Sequence, residues 1–176
     1  MDSRLHQLQG KAKLVTSAEL KALLQDFYRD KLALRNRHVA AARLIGSYEI
    51  NNTYQYIVNR DDVQVSWLRN ALVELGADPV AVPEPEIRAT GKGSDAQRAI
   101  LTEDRDLCQQ FLDRWRPRVE TMTQARHRGM LGVVLGETKE QKRFFEQALA
   151  GRDDLLGRRP DGVGTGGGVL PNRWME

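Results

Sequence analysis

The stretch DDVQVSWLRNALVELGADP, residues 61–79, carries the pattern on which the fold turns. Val65, Leu68, Leu72 and Leu75 recur at steps of three and four, the period of an α-helix and not of a strand. Upstream, Ile57 and Val58 extend the same line. GADP closes it, because glycine suits a helix end and a proline soon afterwards cannot continue one. Asp62 stands three residues before Val65, so this spacing predicts an acidic side chain on the inward face of the helix.

Three more helices are predicted around it. The first begins at Ser17, where TSAELKALL offers a hydroxyl and an acidic first turn, and it carries Leu20, Leu23, Leu24, Phe27, Leu34, Ala41 and Leu44. Gly46 and Ser47 mark its turn. Residues 76–94 contain three prolines and resist regular structure. Ser94 and Gln97 then have capping-box spacing. A third helix follows with Ile100, Leu107, Phe111 and Trp115 inward, and Pro117 kinks it, ends it or starts the next element. The fourth carries Leu131, Val134, Leu135, Phe144, Phe145 and Leu149, and Gly151 stops it. The expectation is an all-α four-helix bundle of two helical hairpins joined by one long crossover. The domain runs from 17 to 150, after an N-terminal arm over 1–16. The final 26 residues, 151–176, hold seven glycines and form a Gly-rich C-terminal tail.

Composition narrows the function. Of 176 residues, 27 are Lys or Arg and 24 are Asp or Glu, and the two signs alternate along the chain, so no nucleic-acid partner is expected. The single cysteine, Cys108, excludes an internal disulfide and falls on an apolar helical line, where it reads as a packing residue. No apolar run approaches the roughly 20 residues that cross a bilayer, and MDSRLHQLQGKAKLV lacks the apolar run of a signal peptide. These features predict a cytoplasmic protein with no membrane partner. DGVGTGGG lacks the lysine and the strand–helix setting of a phosphate-binding loop.

Acidic residues cluster at one level of the expected bundle. Asp30 and Asp62 lie sixteen residues on either side of Gly46, so antiparallel helices bring them together. Glu103 or Asp104 on the third helix faces Glu137 on the fourth if that turn lies near residues 120–121. Carboxylates converging in a core repel unless they are protonated, paired with cations or bridged by metal.

Across residues 17–150, and most of all at QVSWLRNALVELGADP and GETKEQKRFFEQALAG, the chain resembles the ferritin-like superfamily. The resemblance implies a metal layer built from an acidic residue on two helices and Glu-x-x-His on the other two. Carried across, Asp62 takes the glutamate position of the second helix, and Val65 stands where histidine belongs. On the fourth helix one frame gives Thr138 and Gln141, and the adjacent frame gives Glu137 and Glu140. Asp30 or Asp26 serves on the first helix, and Glu103 or Asp104 on the third. Neither frame contains histidine, and His6, His38 and His127 do not restore the spacing.

The leading expectation is therefore a non-catalytic scaffold or interaction subunit without a di-iron centre and without a cofactor. An alternative is a carboxylate-rich oxidoreductase holding iron or manganese on Asp30, Asp62, Glu103, Asp104, Glu137 and Glu140. A further alternative is a small-ligand bundle with Tyr48, Tyr54 and Tyr56 around its pocket. The resemblance also implies a homodimer. GRDDLLGRRP and the VLP and Trp174 positions of the tail are expected either to fold back onto the bundle or to meet a protein partner.

Overall fold

The computed structural model describes residues 17–88 and 91–157. Four helices account for most of them: α1 Ser17–Ala42, α2 Tyr48–Glu74, α3 Ser94–Glu120 and α4 Ala125–Leu149. α1 packs along α2 and α3 along α4, and the two hairpins meet through α1 with α3 and α2 with α4. This is the expected four-helix arrangement with one long crossover. Among the described residues no helix is long and apolar enough to cross a membrane.

Local chemistry explains the ends. Ser47 caps α2, its hydroxyl accepting from the backbone N–H of Ile50. At the other end Gly76 takes a positive φ of 65°, which lets the N–H of Ala77 turn back to the carbonyl of Leu72 at 2.9 Å. Pro117 neither ends nor starts a helix. It lies in the last turns of α3, which continues to Glu120, and the Thr121 hydroxyl donates to its carbonyl. The expected capping box at Ser94 and Gln97 does not form. Gly93 is the cap residue, and the Gln97 side chain instead accepts from the backbone N–H of Ser47. A tertiary partner for Gln97 outcompetes the local one, and it ties the start of α3 to the start of α2.

The crossover is strapped along the outside of α1. Lys21 Nζ donates to the Gly76 carbonyl at 2.6 Å, Asn36 Nδ2 to that of Val82 at 2.7 Å, and Arg43 pairs with Glu84. The first two satisfy carbonyls that a proline-rich segment cannot pair with itself, and the third is a side-chain ion pair. Beyond α4, Leu155 is buried in the core and Leu156 packs against it, so this part of GRDDLLGRRP folds back. The N-terminal arm over 1–16 and the tail from 158, with its VLP and Trp174 positions, lie outside the described residues.

The core is continuous through all four helices. Leu24 and Phe27, Ile57 and Leu68, Cys108 and Trp115, and Leu131 and Val134 are each fully buried. Phe27 meets the edges of Phe111 and Trp115 at centroid distances of 5.2 and 4.9 Å. The buried stripe of α2 runs through Ile57, Leu68 and Leu72, interrupted by Asp61, with Val65 at its half-buried rim. Truncating Leu68 to alanine is therefore expected to cost about 2–5 kcal/mol in urea unfolding. Val73→Ala, at a position 60% exposed, should cost under about 0.5 kcal/mol. Equal costs would show that the α2 register is wrong.

Candidate functional site: a buried ion-pair layer

The apolar core is interrupted at mid-height by a polar layer to which every helix contributes. Lys31 of α1 and Asp61 of α2 each lie fifteen residues from Gly46, and both are fully buried. Lys31 Nζ meets Asp61 Oδ1 at 2.6 Å and reaches Thr138 Oγ1 of α4 at 3.5 Å. Gln141 Nε2, one turn along α4, donates to Asp61 Oδ1 at 2.7 Å. His38 Nδ1 lies 3.0 Å from Asp61 Oδ2. An ionised carboxylate only accepts, so this ring nitrogen carries the proton and donates.

Asp61 thus receives three hydrogen bonds. Burial alone would push its carboxyl up. The Lys31 ammonium and the bonds from His38 and Lys31 outweigh burial and hold it at about 2. The polar layer is not fully satisfied from within the protein. His38 Nε2, both side-chain atoms of Gln64, and Gln141 Oε1 are buried without a hydrogen-bond partner.

A second cluster adjoins the first on the α3 side. Arg37 Nε meets Asp104 Oδ1 at 2.7 Å, and its Nη2 reaches Glu103 Oε2 at 2.9 Å. Tyr54, fully buried, donates its hydroxyl to the other oxygen of Asp104. Burial, and then the Asp104 charge, push the Tyr54 phenol well above its ordinary value, so it remains a donor. His38 stands between the clusters, its ring 6.2 Å from that of Tyr54 and 5.6 Å from that of Phe145. Lys31 and Arg37 balance Asp61 and Asp104. Cys108 is buried beside this layer, and burial raises its thiol, as suits a packing residue.

The structure moves the inward register of α1 and α2 by one residue. Asp61 and Gln64 hold the inward i, i+3 positions on α2, where Asp62 and Val65 were expected. Asp62 is exposed and paired with Arg35 at 2.7 Å. On α1 the inward position belongs to Lys31, and Asp30 sits at the edge, accepting from Trp115 Nε1 at 3.0 Å and pairing with Arg114 at 2.9 Å. On α4 the frame of Thr138 and Gln141 faces inward. Glu137 pairs with Arg60 at the α2–α4 edge, and Glu140 is exposed near Arg143. On α3 Asp104 is inward and Glu103 lies at the rim.

Each of the six carboxylates expected to gather is thus met by an arginine. Among the described residues no three His, Cys, Asp or Glu side chains converge in a way that could hold a metal ion. Lys31, Arg37, Asp61 and Gln64 are not among the residues that the sequence singles out, and His38 enters there only as a histidine off the metal-ligand spacing. The signal available was the parallel between Asp61-x-x-Gln64 and Thr138-x-x-Gln141, which ends in the same residue at the same spacing on two helices. The tyrosines do not share a pocket: Tyr54 is buried, Tyr48 is exposed, and Tyr56 rests its ring edge on Phe144. No known protein family, curated protein or solved structure matches the chain.

Removing one partner of the central pair leaves an uncompensated buried charge. Lys31→Met is expected to cost about 3–5 kcal/mol, and the double variant Lys31→Met/Asp61→Leu to recover most of that loss in denaturant unfolding. Additive losses would show that the pair does not act as a unit. The depressed carboxyl also sets an acid limb. Its contribution is complete above the unfolded value of 3.8 and is lost as pH falls toward about 2. Across that window the wild type should lose on the order of 2 kcal/mol through Asp61. Asp61→Asn should lack this component when unfolding is measured at pH 5, 3 and 2.

Proposed function

We propose that this chain is a ferritin-like bundle in which an internal ion pair replaces the metal layer, and that it acts as a non-catalytic scaffold or interaction subunit, associating as a homodimer. The observation that carries the reading is the Lys31 ammonium. It sits at the centre of the bundle, bonded to Asp61 and in reach of Thr138, in the layer where the resemblance implies a cation. A covalently attached cation neutralises the carboxylate without an exchangeable coordination site, so it supports packing and offers no redox chemistry.

The carboxylate-rich oxidoreductase is the less favoured reading. The expected ligands Asp30, Asp62, Glu103, Asp104, Glu137 and Glu140 are distributed between rim, surface and core, and each has an arginine as counter-ion. A metal at Asp104 would have to displace Arg37, and one at Asp61 would face the Lys31 ammonium. The small-ligand bundle lacks its tyrosine-lined interior, because the three tyrosines face different surroundings.

The replacement reading names the changes that should restore a metal layer. Lys31→Glu removes the internal cation, and Gln64→His with Thr138→Glu and Gln141→His rebuilds the acidic and imidazole ligands on α2 and α4. The quadruple variant is expected to bind Mn2+ or Fe2+ at least about tenfold more tightly than the native chain in anaerobic calorimetry, because several inward ligands must converge before desolvation is offset. Near-stoichiometric iron or manganese on native protein purified without chelator would overturn the reading. Light scattering after size exclusion tests the dimer, and a monomer at tens of micromolar would remove that part of the proposal.

A further inference from the structure

On the outer face of the α3–α4 hairpin, away from the buried layer, a groove of about 470 Å3 runs between the two helices. Three cations line it: Arg116 from α3, and Arg128 and Lys139 from α4. Glu120 is the one acid among its walls. This departs from the habit of the molecule. Most other described arginines sit on carboxylates, as Arg35, Arg37, Arg60, Arg114 and Arg126 do, with Arg98 on a backbone carbonyl and Arg118 over the Trp115 ring among the exceptions. Arg116 and Lys139, by contrast, make no ion pair or hydrogen bond with a described residue. Arg128 uses Nη1 on the Met122 carbonyl at 2.9 Å, which fixes the guanidinium, and it forms no ion pair with a carboxylate among the described residues. Like charges gathered over low-dielectric walls repel one another and attract an anion.

The floor is shaped for close approach. Gly132 and Gly136 line the groove within α4, where glycine is disfavoured relative to alanine. A Cβ at either position would meet nothing within 4 Å, so packing inside the bundle does not require glycine there. Bare helix backbone instead widens the channel between the cations. Val119 and Leu135 supply an apolar base beneath it.

Spacing selects the form of the anion. Arg128 and Lys139 are eleven residues apart on one helix, about 16 Å along its axis at ~1.5 Å per residue. Arg116 reaches the groove from the opposite wall. That separation is between backbone positions; with the long side chains closing from both ends, a chain of linked phosphates engages more of these cations at once than one tetrahedral anion does. We propose that this groove binds a linear oligophosphate, either free or as the phosphate chain of a nucleotide, independently of the buried ion-pair layer.

Calorimetric titration of the full chain at low salt with orthophosphate, tripolyphosphate, AMP and ATP tests the proposal. Tripolyphosphate is expected to bind at least about tenfold more tightly than orthophosphate, and ATP at least about tenfold more tightly than AMP, with both affinities falling as salt rises. Equal affinity for tripolyphosphate and ATP identifies the free chain as sufficient, and tighter ATP identifies the nucleotide form; each upholds the site. Arg116→Ala and Lys139→Ala, at exposed positions, should each weaken tripolyphosphate at least about fivefold without changing the helical circular dichroism, and Gly132→Leu should block the channel. Arg69→Ala on the outer face of α2 serves as the control and should leave affinity unchanged. No binding of tripolyphosphate, equal affinity for orthophosphate, AMP binding as tight as ATP, or binding indifferent to Arg116 and Lys139 would each overturn the proposal.

Discussion

The contact between Lys31 and Asp61 is the constraint on which the arrangement of this bundle depends. Two charges removed from water face a desolvation cost of several kcal/mol each, and their attraction offsets it only when the geometry is good and the remaining polar capacity is used. Here the ammonium and carboxylate meet at 2.6 Å, while His38 and Gln141 add hydrogen bonds to the same carboxylate. The pair is consequently less a source of net stability than a device that rejects wrong packings. Slipping α2 by one residue toward its N-terminus would bring Arg60 and Val63 to the inward positions of Asp61 and Gln64 and set a second cation opposite Lys31. An apolar stripe of Leu and Ile tolerates such a slip far better than a buried charge does.

The neighbouring cluster follows from the same requirement. Arg37 and Asp104 join the two hairpins across the α1–α3 seam, and Tyr54 of α2 donates to that same carboxylate. One carboxylate therefore collects partners from two other helices. Together the two clusters hold four helices at one height, with Phe27, Phe111 and Trp115 packed on one side and Phe145 on the other. Toward the surface the pairs become more exposed, as at Arg35 with Asp62 and Arg143 with Glu140. Solvent-screened pairs of this kind add little to stability. They do place arginines on the carboxylates that the expected metal layer would need.

Both hairpins and the crossover were legible because each has a strong local cause. Leucines at helical spacing fixed α1 and α2, Ser47 and Gly76 marked ends, and three prolines kept residues 76–94 out of a helix. Even the pivot at Gly46 was right, since pairs equidistant from it do meet. The meeting pair was misjudged by a single residue on each side. Asp30 and Asp62 are acidic neighbours of Lys31 and Asp61, and a one-residue step rotates a side chain by about 100° around a helix. An expectation of carboxylates facing inward therefore selected the wrong member of each pair. Gln97 was misread for a related reason, because its distant partner at Ser47 left no trace in local spacing.

What the sequence determined by itself was the helical bundle: the period of its apolar residues, its breaks at Gly46 and residues 76–94, and the absence of inward histidine at metal-ligand spacing on α2 and α4. What only the tertiary structure decided was the content of the layer at its centre. Hydrophobic periodicity is a property of one helix and survives small errors of phase, because several neighbouring positions share a face. A buried ion pair is a relation between two helices, and it is fixed only when packing has chosen which side chain of Asp61 and Asp62 is removed from water. That choice places Lys31 against Asp61 and sends Asp62 to Arg35.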